Sequence, residues 1–186
     1  MERFVGPTQQ PSGRAPRTLS APPADAPAAR ALAMNTVLSL SNPLFKAYTV
    51  CTTMLALKMT AIAWHTVAAM LYYGRGNRAP EDVNKGWTNP KPKGKIQLGA
   101  FEPTDRLRRM MAHDIENNVG FFAVGLLYVC LDCGAAWPLW TYAGSKMAHH
   151  LVYLSVMSHE LRATCWTFTS AAFMYMAGKV LAAALL

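Results

Sequence analysis

The amino-acid sequence predicts an all-α integral membrane protein in which four helices form an up-down-up-down bundle. Hydrophobic residues make up 52% of the 186 positions and charged residues only 15%, which is typical of membrane proteins. Four apolar runs approach the length of about 20 residues that a helix needs to cross the hydrocarbon core. The connections predicted between the last three runs are short, and short connections favour antiparallel neighbours.

The four predicted spans differ in the charges that they carry. The first contains Lys58 and His65, the second has Asp132 late in the run, and the fourth has Arg162 near its head and Lys179 near its end. The third contains one Lys and two His, which are tolerated only if they face the bundle interior or extend to the head groups. In chain order, the predicted spans are 47–73, 119–137, 140–157 and 161–186.

Capping residues predict where the helices begin. Asn42 followed by Pro43 opens the first helix, because Pro is favoured in the first turn. Thr104 is the predicted N-cap of the second helix, and Ser158 is the predicted N-cap of the fourth. Gly134 indicates a turn between the second and third helices.

The long connection 74–103 is rich in Lys and Arg and is interrupted by Gly and Pro, which predicts an exposed basic loop. By the positive-inside rule, this loop faces the cytoplasm or an equivalent compartment. The formal net charge is +8. Because the basic residues lie in this loop and in the N-terminal tail, anionic lipid explains them better than nucleic acid. We therefore expect the lipid bilayer, and no nucleic acid, as a partner.

The N-terminal region, residues 1–41, is expected to be a disordered or targeting tail that precedes a four-helix domain at 42–186. Residues 1–34 are rich in Pro, Ala, Ser and Arg, and their only acidic residues are Glu2 and Asp25. This composition resembles an organellar transit peptide, and a plain disordered tail is an equal interpretation. Endoplasmic reticulum and mitochondrial or other organellar membranes are therefore both considered.

The cysteines do not indicate a metal site. Cys130 and Cys133 form a C-x-x-C motif, but neither a βαβ context nor a second pair of zinc ligands accompanies it. Together with Cys51 and Cys165 they lie in predicted spans. We interpret all of them as packing residues of membrane helices.

The second helix carries a polar stripe that runs into its apolar part. At 100° per residue, one face collects Arg106, Arg109, His113, Glu116 and Asn117. Ionisable groups at membrane depth are costly unless they are paired or used. This face is therefore a candidate for holding a small, charged, peptide-like ligand at the membrane boundary.

Part of this polar pattern also has a purely structural interpretation. Glu116 would be satisfied without a ligand by an internal ion pair with Arg109 or Lys58. Lys58 and His65 share a helix face and would form an interior polar cluster that is structural rather than catalytic.

Several dispersed motifs occur in a fixed order along the chain. The second helix contains Asp-Arg-Leu-Arg-Arg at 105–109 and His-Asp-Ile-Glu-Asn at 113–117. The third contains Lys-Met-Ala-His-His-Leu-Val-Tyr at 146–153, and the fourth contains Leu-Arg-Ala at 161–163. In these motifs the chain from residue 42 onward resembles the MAPEG family, the membrane-associated proteins in eicosanoid and glutathione metabolism. The resemblance is strongest to the branch of microsomal glutathione transferases and prostaglandin E synthases.

The resemblance implies a homotrimer that holds glutathione between the second helix of one subunit and helices of its neighbour. A lipophilic electrophile would reach the glutathione thiol from the bilayer. Arg162 matches the arginine that stabilises the thiolate, so it is the expected catalytic residue. The expected glutathione-binding residues are Arg106, Arg109, His113, Glu116, Asn117, Lys146, His149 and Tyr153.

The charges of glutathione fit these residue types. Its two carboxylates need cations, such as Arg106 or Arg109 with Lys146, and its ammonium group needs an acid, such as Glu116. His149 and Tyr153 are spaced i and i+4, which equally fits hydrogen bonds between helices.

The chain departs from the family pattern at several of these positions. Met111 and His113 stand where the family has His and Asn, Lys146 stands where it has Arg, and the arginine late in the first helix falls near Met70. Two hypotheses follow. The first is a glutathione-dependent transferase or peroxidase that acts on lipophilic electrophiles, and the second is a non-catalytic accessory subunit of a larger membrane complex.

Overall fold

The computed structural model describes residues 37–155 and 158–186. The predicted tail, 1–41, lies almost entirely outside the described residues, and its interpretation stays a prediction. The described part is helical and contains no strand apart from an isolated bridge between Asn77 and Leu98. The predicted all-α class and the four helices are confirmed, and the helices are α1 Pro43–Tyr73, α2 Glu102–Cys130, α3 Trp137–Leu154 and α4 His159–Leu185.

The predicted helix start at Asn42-Pro43 and the predicted N-cap Ser158 are confirmed. The Asn42 side chain accepts a hydrogen bond from the backbone N–H of Leu44 at 2.9 Å, and Ser158 accepts one from Leu161 at 3.4 Å. The prediction for Thr104 is wrong, because α2 already begins at Glu102. Thr104 is buried in the first turn, where its hydroxyl donates to the Phe101 carbonyl at 2.9 Å.

The junction between α2 and α3 also differs from the predicted run 119–137. The structure ends α2 at Cys130 and begins α3 at Trp137. Asp132 and Gly134 adopt positive φ values of 47° and 134° between them, and such values break a right-handed helix. The end of the third predicted run, at residues 156–157, lies outside the described residues.

Contacts between the helices confirm the up-down-up-down topology. Tyr48 and Lys58 of α1 bond to Phe122 and Asp114 of α2, so α1 and α2 run in opposite directions. Helices α2 and α3 are also antiparallel, because Asn118 is hydrogen-bonded to Tyr142 and Arg106 to Tyr153. In α3 and α4, Trp137 lies near Tyr175, and Tyr153 lies near Arg162.

Two of the four helices, α1 and α4, are long and apolar enough to cross a membrane, each with a mean hydropathy of 1.4. The first half of α2 is strongly charged, and α3 carries Lys146, His149 and His150 within 18 residues. Large apolar side chains remain exposed on the outer surface of the subunit, including Trp64, Phe168 and Met174. An exposed apolar surface of this kind indicates contact with lipid or with partner subunits.

The bundle interior has two apolar clusters separated by a polar layer. One cluster contains Leu55, Phe121, Tyr142 and Met176, with the rings of Phe121 and Tyr142 stacked at 4.1 Å. The other is smaller and lies towards the loop 74–101; it contains Ile62, Ala69, Leu107 and Met110. The polar layer between them consists of Lys58, Asp114, Asn118 and Lys146, all buried.

Hydrogen bonds and ion pairs connect the loop 74–101 to the beginning of α2. Arg108 donates to the carbonyl of Gly76 at 2.7 Å, and Arg78 and Arg108 both pair with Asp105. Gly76 has a φ of +85°, and a Cβ there would lie only 2.3 Å from the Thr104 hydroxyl. The hydrogen bond from Arg78 is the main reason why the pKa of the Asp105 carboxyl lies below its ordinary value.

Candidate functional site

An open cavity of about 500 Å³ lies between α2, α3 and α4, and we call it the α2/α3/α4 cavity. The predicted site residues Arg109, His113, His149, Tyr153 and Arg162 line it. They come from three helices and are separated by up to 53 positions in the chain (162 − 109). Sequence reasoning missed the remaining lining residues, which are His159, Ala163 and Trp166.

Aromatic rings form much of the cavity wall. His113 and His149 stack with their ring centroids 5.0 Å apart and an interplanar angle of 18°. The ring of Tyr153 follows, 5.9 Å from that of His149. The guanidinium carbon of Arg162 lies 5.2 Å from the centroid of Tyr153, within the range of a cation–π interaction. The predicted pair His149 and Tyr153 therefore lies beside the predicted catalytic cation.

Arg106 also contacts Tyr153 but does not line the cavity. Its guanidinium donates two hydrogen bonds, of 3.0 and 2.7 Å, to the Tyr153 carbonyl near the end of α3. It also lies 4.7 Å from the centroid of the Tyr153 ring. A cation at a helix C-terminus satisfies carbonyls that lack a helical partner. Arg106 therefore fixes the backbone that carries Tyr153.

Arg109 is half exposed and bonds to Glu102 on the same helix, at 2.6 Å. Lys58 pairs with Asp114, not with Glu116. The alternative in which Glu116 is neutralised by Arg109 or Lys58 is therefore wrong for this subunit. Within the described residues, Glu116 is an exposed carboxylate without an ion pair.

Glu116 and Asn117 line a neighbouring cavity of about 340 Å³, together with Tyr142, Phe173 and others. Trp166 lines both this cavity and the α2/α3/α4 cavity. The two cavities are therefore adjacent along the groove between α2 and α4. The side-chain amide of Asn117 donates to the His113 carbonyl at 2.6 Å, one helical turn back.

Lys146 is the predicted site residue that the structure separates most clearly from the cavity. Its side chain is 1% exposed, and its ammonium nitrogen lies 3.6 Å from the Asp114 carboxylate. Lys58 reaches the same carboxylate at 2.8 Å and is also buried. We call Lys58, Asp114 and Lys146 the buried charge cluster. His65 is exposed and does not belong to it, so the predicted Lys58–His65 cluster is wrong.

The comparison with protein families decides the identity of the fold. The model of the MAPEG family matches residues 48–182, which is most of the chain. This chain belongs to the MAPEG family. MAPEG proteins are membrane-associated helical bundles and include glutathione transferases and related proteins. A comparison with curated proteins finds no match.

Sequence reasoning missed the part that Asp114 plays in this MAPEG protein. Asp114 lies inside the 113–117 motif, but successive helix residues point about 100° apart. It therefore leaves the face of His113 and Glu116 and turns towards α1 and α3, where it meets two lysines. The 100° rotation between His113 and Asp114 was the sequence signal that could have separated Asp114 from the ligand-binding face. Its partners are 56 and 32 residues away in the chain (114 − 58 and 146 − 114), and only the packed bundle shows them.

The α2/α3/α4 cavity combines features that suit an anionic ligand. Arg109 and Arg162 supply positive charge, and the histidine and tyrosine rings supply hydrogen-bonding groups and apolar faces. The Nε atom of Arg162 is buried and has no hydrogen-bond partner among the described residues. A buried donor of this kind is costly unless a ligand or water satisfies it. In the described parts of the chain, no group of three His, Cys, Asp or Glu side chains is arranged to hold a metal ion.

Proposed function

We propose that this MAPEG protein is a glutathione-dependent transferase or peroxidase that acts on lipophilic electrophiles at the membrane. The observation that carries the proposal is the α2/α3/α4 cavity, in which Arg162 lies beside Tyr153 and opposite the predicted ligand-binding face of α2. Arg109, His113 and His149 line the same cavity, and Glu116 lies in the adjoining one.

The charge pattern supports glutathione as the co-substrate. One carboxylate of the tripeptide would bind Arg109, which is exposed and is paired in the structure with the exposed Glu102. The ammonium group would bind Glu116, whose carboxylate lines the groove and has no ion pair among the described residues. Charge-assisted bonds of this kind contribute about 1.5–3 kcal/mol each. They would hold an extended ligand along the groove between α2 and α4.

Arg162 is the proposed thiolate-stabilising residue. A guanidinium next to the glutathione sulfur favours the ionised form, and the thiolate is the nucleophile. In the transferase reaction the thiol proton leaves to solvent, the sulfur forms a bond to the electrophilic carbon, and the leaving group takes its electron pair. In the peroxidase reaction two glutathione thiols reduce a hydroperoxide to an alcohol and water and become a disulfide.

A homotrimer is part of the proposal. In a single subunit the cavity is open on one side, and Arg109 and Glu116 are exposed. Ionisable groups near membrane depth and large exposed apolar side chains such as Phe168 are both better accommodated when a neighbouring subunit covers them. The membrane in question stays an expectation, either endoplasmic reticulum or a mitochondrial or other organellar membrane.

The test uses the full chain in mild detergent or lipid nanodiscs. We expect a trimer by light scattering, saturable glutathione binding by calorimetry, a thiolate absorbance band near neutral pH, and turnover of a chromogenic aryl halide. A folded monomer would contradict the proposed assembly. If saturating glutathione yields neither a thiolate band nor turnover with aryl halide or hydroperoxide, the transferase and peroxidase proposal fails. The non-catalytic accessory subunit then takes its place.

A further inference from the structure

Lys146 lies directly behind the wall of the α2/α3/α4 cavity. Its ammonium nitrogen is 3.5 Å from Nδ1 of His113, a residue that lines the cavity, while Lys146 itself does not line it. The side chain of Lys146 is 1% exposed, so it does not reach the cavity surface. Whatever Lys146 contributes to a ligand in the cavity must therefore pass through His113.

The partners of Lys146 are restricted by the other buried lysine. An ammonium group has three N–H donors and no acceptor. The Asp114 oxygen that lies 3.6 Å from Lys146 is 2.9 Å from the Lys58 nitrogen, so Lys58 is its closer partner. The Lys146 ammonium keeps the longer ion pair with Asp114, and a further N–H of its three is directed to Nδ1 of His113 at 3.5 Å.

This contact selects one tautomer of His113. A neutral imidazole carries one proton, on either Nδ1 or Nε2. A proton on Nδ1 would face the ammonium donors of Lys146, so the proton belongs on Nε2. Stacking against His149 holds the ring plane in place. The edge of the ring away from Lys146 then presents an N–H donor on the cavity side.

We propose that Lys146 is a positioning residue whose buried ammonium group holds His113 as the neutral Nε2–H tautomer, so that His113 donates a hydrogen bond to an anionic group of bound glutathione. The donor step rests on the proposed function, whereas the tautomer is a property of the protein without ligand. The contact between the Lys146 ammonium and Nδ1 of His113 is the observation on which the positioning role rests.

The tautomer is measured on ¹⁵N-histidine-labelled full-length protein in nanodiscs without glutathione, with the His113 signals assigned by His113→Asn. We expect an unprotonated Nδ1 and a protonated Nε2. Lys146→Met should abolish this preference, and Lys146→Arg should retain it because a donor remains. Lys146→Met should fold, because Lys58 and Asp114 are left as a one-to-one pair. Lys46→Met, at an exposed position on α1, is the matched control.

A protonated Nδ1 in the wild type overturns the proposal, and so does a tautomer that is unchanged in Lys146→Met. Glutathione binding then tests whether His113 donates a hydrogen bond to the ligand. Lys146→Met should weaken glutathione binding about tenfold, but less than about twofold when His113 is already Asn. An equal loss in both backgrounds would mean that Lys146 contacts the ligand directly, against the proposal.

The two proposals fail separately in this design. If the wild type binds no glutathione but shows the Nε2–H tautomer and loses it in Lys146→Met, the proposed function fails while the effect of Lys146 on His113 stands. If glutathione binds but His113 carries its proton on Nδ1, the positioning role fails and the proposed function is retained.

Discussion

The buried charge cluster and the α2/α3/α4 cavity both contain charged side chains but satisfy them differently. In the cluster, Lys58 and Asp114 are 3% and 1% exposed and lie within 3 Å of each other. In the cavity, Arg109 is 54% exposed and its ion pair within the described residues is with the exposed carboxylate of Glu102. Charges sealed inside the subunit are thus paired by the protein, whereas charges in the cavity keep capacity for a ligand. The difference indicates which substitutions should affect folding and which should affect binding.

The largest expected effect is the loss of stability when Asp114 of the buried charge cluster is substituted. Asp114→Asn leaves two buried lysines without a carboxylate, and breaking a buried ion pair costs about 3–5 kcal/mol. We expect a large fall in thermal stability, measured by tryptophan fluorescence or by unfolding in detergent mixtures. The matched control is Asp132→Asn, at an exposed residue with positive φ that Asn tolerates.

A compensating double variant tests whether Asp114→Asn loses stability through the missing charge or through disturbed packing of the core. Replacing Lys58 by Met and Asp114 by Leu in the same chain removes the charge pair together, which is often neutral when packing is kept. This double variant should lose less stability than Asp114→Asn alone. Equal losses would indicate that shape, and not charge, dominates at this layer.

The next effect concerns the cavity cation. Arg162→Leu should leave the fold intact, because Arg162 borders an open cavity. It should lower the thiolate absorbance of bound glutathione and the turnover of an aryl halide in parallel. Each pKa unit of lost thiol activation corresponds to about 1.4 kcal/mol, or up to tenfold in thiolate fraction. Arg75→Leu in the exposed loop serves as the control, and an unchanged thiolate band in Arg162→Leu would count against this role.

A smaller effect is expected at Glu116. Glu116→Gln removes the charge that would pair with the glutathione ammonium group and should weaken binding by about 1.5–3 kcal/mol in calorimetry. Thermal stability should not change, since Glu116 is exposed and unpaired within the described residues. Glu81→Gln, at an exposed position in the loop, is the control. Unfolding of Glu116→Gln would instead show that a structural partner, such as a neighbouring subunit, uses this carboxylate.

The smallest effect concerns the loop that is fastened to α2. Arg78 holds the pKa of Asp105 below its ordinary value, so the pair stabilises the loop at neutral pH and this contribution is lost as the pH falls through the folded-state pKa. Arg78→Gln should accelerate proteolysis of the loop at neutral pH and reduce the difference between neutral and acidic pH. Because exposed pairs contribute only about 0–1 kcal/mol, global stability should change little. A loop with the same protection in both proteins would show that Arg108 alone retains it.

The sequence anticipated most of the cavity but not the cluster. Arg109, His113 and Glu116 follow each other at helical spacing, so their common face could be predicted from α2 alone. The residues of α3 and α4 that join them were expected only through resemblance to the MAPEG family. For Lys146, neither helical spacing nor the resemblance predicted the position of the side chain. Its type and position suggested a ligand contact, but the structure buries it against Asp114 and His113.

Local signals determined the helices, since apolar run length, the Asn42 and Ser158 caps and the charged head of α2 depend on residues close in the chain. Those signals were insufficient at Thr104 and at 131–136, where Pro103 in the first turn and the positive φ of Asp132 set the boundaries. The partner of each charge was decided only by the tertiary structure. Lys58, Asp114 and Lys146 lie on three different helices, and a buried charge pairs with whichever opposite charge the packing brings within reach.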